Sequence, residues 1–542
     1  MLSLGVSGTL VYIFREFILE DTLAWNGNWV FTLGSILLSV PLLVCRQTLA
    51  GAVLQSWILS PILFEYLGFS RESFLLKRKE PKHYGVASAL GIALGVLTYF
   101  ISPVYYFISF GVLLGSIILF RFPEIGVLLL VAMMPFLHYT GHPTFFLATS
   151  VLTVGFAYFL KWIRAKRIWS LRLMDRAVLA MAVVFLLNGA VSVGGAISFG
   201  TAFLYVVVLI AYLLMVNLLR SREWIRKTWM TMLVFGLFSC VSGIAEIFTG
   251  AVNASWVDMR SFSGTVRVTG GFENPNVYAE YLLILIPLSF LFLLEQKRTV
   301  GRWLAIGALA VLVLCMVNTW SRGAWLGLMV AVVTYWLIMD KRSPIFLLAA
   351  VLVAPWATYF LPSSVFSRLL SIGNLGDSSV SYRFSVWKGV WRMLRETFWC
   401  GTGVGYSAFS ALYPTFAYGG SVGVRHAHSF YLQILVEFGI VGFIIMAAVL
   451  FLFAQMCFEY FLKMRDRKEK RLSVVGLSSI VGSLVMGLTD HIWYDYRIFF
   501  CFWAVIALVS AHVRVTLAEQ ERQDLPYENS AEEASLEIGI NS

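Results

Sequence analysis

The sequence predicts an all-α fold, a polytopic integral membrane bundle of about 14 spans with one long extracytoplasmic loop. Of its 542 residues, 59% are hydrophobic and only 13% are charged, whereas roughly a quarter of the residues in a soluble domain are charged. The mean hydropathy is +0.80. Apolar runs long enough for a helix to cross a hydrocarbon core of about 30 Å recur along the whole chain. These observations exclude a soluble enzyme or a soluble binding module.

The expected spans follow one another from the N-terminal part of the chain to residue 516. They lie near 84–101, 104–120, 123–138, 143–162, 176–195, 197–219, 228–249, 277–295, 303–319, 323–339, 343–360, 429–456, 473–490 and 498–516. Two further candidates lie near 28–45 and 50–68, and residues 1–25 are a candidate interfacial segment. This divides the chain into N-terminal membrane helices (1–249), a motif-bearing membrane region (250–518) and an acidic cytoplasmic tail (519–542) that is predicted to be disordered.

The distribution of Lys and Arg predicts the orientation of the bundle. Counting spans puts every basic cluster on one face, which the positive-inside rule makes cytoplasmic: 71–82, 164–176, 220–227, 297–302, 341–342 and 463–471. The net charge of +11 therefore indicates basic cytoplasmic loops rather than nucleic-acid binding. Two loops, 250–276 and 361–427, then fall on the outer face. The longer loop is rich in arginine, so either the count of spans is off by one or an anion binds there.

Within the long loop, residues 383–398 are predicted to form an amphipathic helix that lies in the plane of the lipid headgroups. Its expected apolar stripe consists of Trp387, Trp391, Leu394 and Phe398. The sequence GTGVG at 401–405 resembles a phosphate loop, but neither a preceding strand nor a following P-loop lysine accompanies it. It is interpreted as a flexible turn.

His428 is the candidate catalytic residue, because it ends the basic outer loop directly before an apolar helix. An imidazole at this boundary can accept a proton from an attacking hydroxyl, although a structural role is the alternative. His426, two residues earlier, is expected to be solvated. Ser429, Gln433 and Glu437 repeat at intervals of four residues, so they are predicted to form one polar stripe that faces the interior of the bundle.

Three arginines are candidate substrate-binding residues. Arg322 lies between two apolar runs with no acidic residue nearby in sequence. Its guanidinium could form a bidentate phosphate clamp or could extend to lipid headgroups. Arg267 and Arg383 are expected on the same face, where they either join that clamp or contact headgroups individually. The Asn274-Pro275-Asn276 turn before a span is interpreted as structural.

Several chemical motifs are absent from the sequence. It has no Asp-x-Asp, no Walker A motif and no HExxH, and its six cysteines lack metal-ligand or disulfide-framework spacing. The sequence therefore supports neither a metal-dependent nor an ATP-driven mechanism, and we expect no metal and no cofactor.

One sequence pattern suggests a family. His428-Ser429 is followed after nine residues by Gly439-x-x-Gly442, and this spacing resembles that of the O-antigen ligase/polymerase superfamily. Three further matches support the resemblance, within a region that runs from about 260 to 442: Ser321-Arg322-Gly323-Ala324, Gly271-Phe272-x-Asn274-Pro275-Asn276, and Arg383 followed by Trp387.

The resemblance implies a GT-C-like bundle that carries out inverting, metal-independent glycosyl transfer at the outer face of the cytoplasmic membrane. His428 would correspond to the histidine that activates the acceptor hydroxyl. Arg322 and Arg383 would correspond to the arginines that hold the donor pyrophosphate, and Arg267 would assist them. The implied partners are an undecaprenyl-pyrophosphate-linked glycan donor, a glycan, lipid or wall-polymer acceptor and the lipid bilayer, with no nucleic acid.

The alternative function is a transporter or flippase of lipid-linked glycans that has no catalytic activity. Such a protein is expected to carry charges along a central pathway and to contain internal repeats. Here no repeat is evident, and the unusual residues lie in the second half of the chain on the predicted outer face. The enzyme is therefore favoured, while the choice between ligase and polymerase stays open.

Overall fold

Helices dominate the part of the chain that the structure, a computed structural model, describes, as the sequence predicts. The described residues are 1–18, 29–44, 49–57, 59–67, 70–74, 84–164, 168–250, 257–258, 265–353, 356 and 378–524. The chain divides into two units, residues 1–125 and residues 126–542. Each unit is described by itself.

The first unit is built on helices that touch through small residues. Its elements are α1 (Leu2–Phe17), α2 (Trp29–Val44), α3 (Leu49–Gln55), a π-helix (Pro61–Tyr66), a 3-10 helix (Arg71–Phe74), α4 (Tyr84–Leu97), α5 (Pro103–Arg121) and the start of α6 (Pro123–Met133). A Cβ on Gly95 of α4 would lie 2.8 Å from the Gly8 nitrogen of α1. Glycine therefore allows these two backbones to approach closely, as in other membrane helix pairs.

The second unit contains the remaining elements. They are a 3-10 helix (Met134–Tyr139), α7 (Pro143–Ile163), α8 (Leu173–Ala190), α9 (Gly195–Leu218), α10 (Arg222–Thr249), the two-residue antiparallel strands β1 (Val257–Asp258) and β2 (Thr265–Val266), α11 (Pro275–Glu295), α12 (Thr299–Asn318), α13 (Arg322–Met339), α14 (Ser343–Val353), α15 (Ser378–Thr397), α16 (Tyr406–Leu412), a 3-10 turn (Tyr413–Thr415), α17 (Phe430–Lys463), α18 (Arg467–Met486) and α19 (Tyr496–Asp524).

The all-α membrane bundle is confirmed. Among the described residues, nine helices are long and apolar enough to cross a membrane by length and composition. Shorter apolar helices accompany them, so the expected number of about 14 spans stays a prediction. Of the predicted tail, residues 519–524 continue α19, and the rest lies outside the described residues. Residues 361–377 of the long loop also lie outside them.

Helices α11 and α19 form the centre of the second unit. The most apolar stretch of α19 is 89% buried and that of α11 is 78% buried, against 22% for α12 and 17% for α13. Helix α13 nevertheless packs closely on α18, because a Cβ on Gly327 would lie 2.5 Å from the Gly482 carbonyl oxygen. The central helices are thus surrounded by helices whose outer surfaces are apolar.

Several helices have termini at one end of the second unit, here called the site end. Helices α11, α13 and α17 begin there, and α12 and α18 end there. Backbone hydrogen bonds join these termini: Phe430 N–H donates to the Gly487 carbonyl (2.7 Å), and Val268 N–H donates to the Asn318 carbonyl (3.1 Å). The start of α17 is therefore fixed to the end of α18, and the segment before α11 to the end of α12.

The predicted amphipathic helix exists as α15, but its buried face differs from the predicted stripe. The face that packs on Phe409, Tyr413 and Val436 consists of Val386, Val390, Met393 and Leu394. Trp391 is 59% exposed. Residues 400–427 fold back over the buried face of α15, and the prediction that the tryptophan stripe lies among lipid headgroups stays a prediction.

The turn at 401–405 is present, but it is packed rather than flexible. Its residues Thr402 and Val404 are buried, and Thr402 N–H donates to the Val436 carbonyl (2.8 Å). That carbonyl is available because α17 is interrupted at Gly439, whose φ of 65° and ψ of −172° are not helical. The prediction of flexibility is wrong because N–H groups of the turn donate to backbone carbonyls of α17 that have no helical partner at the interruption.

Candidate functional site

The three arginines singled out from the sequence line one cavity at the site end. This arginine cavity has a volume of about 300 Å³ and is lined by Arg267, Arg322, Arg383, Asp490 and neighbouring residues of α13, α15 and α18. Three guanidinium groups face a single carboxylate, so the cavity carries an excess of positive charge. A site of this composition suits a polyanionic group such as a diphosphate.

Arg267, in the loop before α11, is held by hydrogen bonds that it donates to the end of α12 and to the first turn of α11. Its Nε donates to the Thr319 carbonyl (2.9 Å), and its Nη2 donates to Asn276 Oδ1 (2.8 Å). Asn274 caps α11 through a bond from Asn276 N–H (2.9 Å), and Pro275 occupies the first turn. The structural reading of the Asn-Pro-Asn turn is therefore confirmed, and the turn also positions an arginine.

Arg322 is the first residue of α13, which begins directly at the arginine cavity. The N-terminus of a helix carries partial positive charge and free N–H groups, so it adds to the attraction of Arg322 for an anion. Gly323 allows this terminus to approach Thr489, since a Cβ there would lie 2.7 Å from Thr489 Oγ1. This close approach explains why glycine follows Arg322 in the Ser-Arg-Gly-Ala motif.

Arg383 extends from α15 across the cavity to the carboxylate. Its Nη1 donates to Ser379 Oγ (2.9 Å), and its Nη2 lies 3.9 Å from Asp490 Oδ2. Its side chain is only 19% exposed. Partial burial strengthens the interaction of this guanidinium with any anion that enters the cavity.

His428 lies beside the same carboxylate. Its Nδ1 is 3.6 Å from Asp490 Oδ1, an ion-pair distance longer than a hydrogen bond. His428 has a positive φ of 47°, a sparsely populated conformation for a residue with a side chain. The preceding Ala427 fixes this conformation, because its N–H donates to Gln433 Oε1 (2.7 Å) and its carbonyl accepts from Trp387 Nε1 (3.0 Å).

Asp490 connects the histidine with the arginines. It follows α18, and its carboxylate accepts hydrogen bonds from Asn276 Nδ2 (3.0 Å) and from His491 N–H (2.9 Å). Burial opposes its ionisation, but the neighbouring His428 and Arg383 outweigh burial and hold the pKa of Asp490 well below its usual range. The carboxylate is therefore charged at neutral pH.

His426 is part of the site, and the prediction that it is solvated is wrong. Its Nδ1 accepts a hydrogen bond from His428 N–H (3.2 Å), and its ring packs on Tyr494 with centroids 4.9 Å apart. Burial, together with the neighbouring His428, lowers the pKa of His426 to about 4. Burial also lowers the pKa of the adjacent His491 well below its usual value. Both rings are neutral near pH 7.

The polar stripe on α17 faces the interior, as predicted. Ser429, Gln433 and Glu437 are all buried. Gln433 Nε2 donates to Glu437 Oε1 (2.8 Å), and the same oxygen accepts from Gly405 N–H (3.0 Å). The stripe thus connects the loop that carries His428 with the turn at 401–405.

Comparison with known proteins identifies this region. Residues 307–447 match the family model described as O-Antigen ligase. This match supports the assignment of the region to the O-antigen ligase superfamily. No curated protein matches the chain. The matched O-antigen ligase region contains Arg322, Arg383 and His428, whereas Arg267 and Asp490 lie outside it. Together with the apolar helices, the match supports a multi-pass membrane enzyme of the O-antigen ligase or polymerase type.

One group of residues at the site end has the composition of a metal site. Within the described residues, His426, His428 and Asp490 each offer a ligand atom, and these atoms lie within 4.8 Å of one another. Arg383 is paired with the same carboxylate, and two more guanidinium groups line the adjoining cavity. This positive charge opposes the binding of a cation.

Sequence reasoning underestimated Asp490, His491 and His426. Asp490 is not among the candidate site residues singled out from the sequence, because nothing in the sequence connects it with His428. Residues 490 and 491 are about sixty positions away from His428 and become neighbours only because α17 and α18 are antiparallel. The useful signal was the pair Asp490-His491 at the end of an apolar segment, where titratable residues are rare.

Proposed function

We propose that this protein transfers a glycan from an undecaprenyl-pyrophosphate carrier to an acceptor hydroxyl, at the outer face of the cytoplasmic membrane, without a metal ion. The observation that carries the proposal is the meeting of the arginine cavity with the pair His428–Asp490. A group that binds diphosphate and a group that accepts a proton are the two requirements of this reaction.

The arginine cavity binds the donor pyrophosphate. Arg322 and Arg383 hold its oxygens, assisted by Arg267 and by the N-terminus of α13. As the bond between the anomeric carbon and the bridging oxygen breaks, negative charge grows on the departing undecaprenyl pyrophosphate. Fixed guanidinium groups stabilise that charge more strongly than the charge of the intact donor, which lowers the barrier.

His428 acts as the general base. Its imidazole takes the proton of the acceptor hydroxyl while the acceptor oxygen forms a bond to the anomeric carbon. The electron pair of the breaking bond leaves with the pyrophosphate oxygen. Because the acceptor attacks from the side opposite the leaving group, the configuration at the anomeric carbon is inverted. A positioned histidine contributes roughly 10²–10⁴-fold to such a step.

Asp490 is a positioning residue in this proposal. Its charged carboxylate faces Nδ1 of His428, which favours the tautomer that is protonated at Nδ1 and keeps Nε2 available as the proton acceptor. Asn276 fixes the carboxylate in turn through its side-chain amide. The same carboxylate also attracts Arg383, so it aligns the base with the donor clamp.

The proposed orientation of the bundle in the membrane follows from the charges at the helix ends that are remote from the site. The basic clusters 297–302 and 463–471 join α11 to α12 and α17 to α18, so they lie at the ends of these helices that are remote from the site. The positive-inside rule assigns such clusters to the cytoplasm. The site end would then face outward, where lipid-linked glycans are joined or polymerised.

The test is a transfer assay with purified protein in lipid nanodiscs. It supplies undecaprenyl-pyrophosphate-linked glycan and a panel of candidate acceptors, with and without EDTA. We expect wild-type protein to transfer glycan equally well under both conditions. His428→Ala should lose at least 100-fold of the rate, the lower range for a general base, whereas the exposed control His142→Ala should keep it.

A second arm examines the donor clamp. Arg322→Ala and Arg383→Ala should raise the donor KM and lower the rate, while Arg395→Ala, on the exposed face of the same helix α15, should not. Loss of transfer in EDTA that is restored by a divalent cation would contradict the metal-free reaction. No transfer by wild type with any acceptor, together with glycan movement across the bilayer, would favour the flippase.

A further inference from the structure

A large cavity lies at the end of the second unit that is remote from the arginine cavity. This basic cavity has a volume of about 530 Å³, and helices α10, α11, α12, α18 and α19 contribute to its lining. Among the described residues, its charged lining consists of six cations and two carboxylates: Arg222, Arg226, Lys297, Arg302, Lys468 and Arg471, with Glu295 and Glu469. The cavity therefore carries an excess of positive charge.

Both carboxylates of the basic cavity are already paired. Glu469 Oε1 pairs with Arg222 Nη1, and Glu295 Oε2 lies 3.7 Å from Arg226 Nε. Arg222 Nε also lies 2.6 Å from Glu519 Oε2, near the end of α19. These ion pairs account for two of the six cations and leave the charge of the others uncompensated.

Four cations of the lining have no carboxylate at ion-pair distance within the part of the chain that the structure describes: Lys297, Arg302, Lys468 and Arg471. Arg471 Nη1 donates to the Leu294 carbonyl (2.8 Å), and Arg302 Nε donates to the Gln296 carbonyl (3.2 Å). A carbonyl fixes the position of a guanidinium but does not neutralise it. Since these like charges repel one another, an anion in the basic cavity would stabilise the folded protein.

A further cavity of about 490 Å³ adjoins the basic cavity. This apolar cavity is lined mainly by apolar side chains of α11, α12, α13 and α18, among them Pro287, Phe290, Leu309, Val332 and Trp336. Leu294 lines both cavities, and Arg467 of the apolar cavity directly precedes Lys468 of the basic cavity. Helices α12 and α13 bury little of their surface. A molecule that occupies both cavities therefore needs an anionic head and an apolar chain.

Both cavities are distant from the proposed donor site. Arg322 begins α13 at the arginine cavity, whereas Trp336 and Met339, near the other end of the same helix, line the apolar cavity. At a rise of about 1.5 Å per residue, Met339 lies roughly 25 Å along α13 from Arg322. A phosphate in the basic cavity is therefore a different group from a pyrophosphate in the arginine cavity, and the proposed reaction uses neither of these two cavities.

We propose that the basic cavity and the apolar cavity together bind one anionic glycerophospholipid of the surrounding bilayer. Arg302, Lys468 and Arg471 hold its phosphate, because guanidinium groups match phosphate oxygens and a basic pocket between membrane helices suits an acidic headgroup. One acyl chain lies in the apolar cavity, where it restores the dispersion contacts that an empty space would forfeit. The lipid thus joins the connection between α11 and α12 to the start of α18.

Native mass spectrometry of the full-length protein, released from detergent micelles, measures this binding. The probes are dioleoylphosphatidylglycerol, dioleoylphosphatidylcholine with the same chains but no net charge, and glycerol 3-phosphate without chains. We expect phosphatidylglycerol to bind at least about 10-fold more tightly than either of the others. Equal binding of phosphatidylcholine would contradict recognition of the headgroup, and equal binding of glycerol 3-phosphate would contradict a lipid. Either result would overturn the proposal.

A pair of double variants tests the basic cavity. Arg302→Gln with Lys468→Gln removes two cations of the lining, whereas Arg298→Gln with Lys463→Gln removes two exposed cations at the same end that line neither cavity. A cation near an acidic headgroup strengthens binding about fivefold, so the first double variant should bind phosphatidylglycerol about 25-fold more weakly. The control should bind as wild type does. An equal loss in both would indicate diffuse surface attraction and would overturn the site.

A second pair tests the apolar cavity. Val332→Trp fills it, and Met329→Trp adds the same side chain to α13 outside it, at a residue of similar exposure (57% against 55%). Val332→Trp should weaken phosphatidylglycerol binding about 10-fold, by excluding a chain that contributes packing contacts, and Met329→Trp should not. Unchanged affinity of Val332→Trp would show that no chain occupies the cavity and would overturn the proposal.

Thermal unfolding provides a readout that does not depend on mass spectrometry. Added phosphatidylglycerol should raise the Tm of wild type and of both controls, because a ligand that binds only the folded state stabilises it. The rise should be largely absent in Arg302→Gln with Lys468→Gln, and the Tm without lipid shows that each variant folds. An equal rise in that double variant and in wild type would refute the site. Glycan transfer is not part of this test, so its absence would count against the proposed function alone.

Discussion

Replacing Gly439 by alanine tests why the second half of the histidine motif contains glycine. The residue interrupts α17 with a φ of 65° and a ψ of −172°, a region that residues with a Cβ rarely occupy. A Cβ there would meet the Trp399 carbonyl and would lie 2.8 Å from the Cys400 nitrogen. Both obstacles are backbone atoms, which cannot rotate away.

The expected loss of stability is the sum of two effects. Forcing alanine into this conformation costs about 1–3 kcal/mol, and inserting a methyl group into a packed backbone contact costs about 1–3 kcal/mol more. Gly439→Ala should therefore lower the free energy of unfolding by about 2–6 kcal/mol. The interruption also frees Ile440 N–H for the Phe398 carbonyl (2.8 Å), so the variant should loosen the turn at 401–405.

The measurement is unfolding by SDS in mixed micelles, followed by tryptophan fluorescence. The control is Gly307→Ala in α12, a helical glycine whose added Cβ would meet nothing within 4 Å. Alanine is the better helix former by about 1 kcal/mol, so this control should be neutral or slightly stabilising. Equal stability of the two variants would refute the argument that the interruption of α17 requires glycine.

Three further predictions follow from the site. Asp490→Asn should lower the transfer rate by at least 100-fold with little change in the donor KM, because His428 loses its orienting charge; steady-state kinetics decides this. In the folded protein the pKa of His426 is about 4, against an ordinary value of 6.5. Between these two values the unfolded chain binds a proton at His426 that the folded protein does not. The free energy of unfolding should therefore fall as the pH drops from about 6.5 towards 4. His426→Gln should flatten that slope in pH-dependent unfolding. Trp387→Phe removes the hydrogen bond from the indole N–H to the Ala427 carbonyl. It should lower the free energy of unfolding by about 1 kcal/mol, which unfolding curves would test.

The sequence by itself determined the membrane bundle and the family. The length of an apolar run is a local property that the bilayer thickness makes decisive, so helices occur where the runs predict them. The histidine–glycine spacing is also local, and it pointed to the superfamily that the match at 307–447 confirms. The interior position of Gln433 and Glu437 followed from helical periodicity for the same reason.

Only the tertiary structure decided which of the candidate residues meet. Asp490 is adjacent to His428 because two antiparallel helices end together, and Arg267 reaches the cavity because Asn276 holds it. Periodicity predicted the amphipathic helix at 383–398 but not that residues 400–427 pack on one of its faces, since it shows which residues share a side of a helix but not what covers that side. Contacts between distant segments depend on how helices pack and where loops fold back, and that information lies in no single stretch of the sequence.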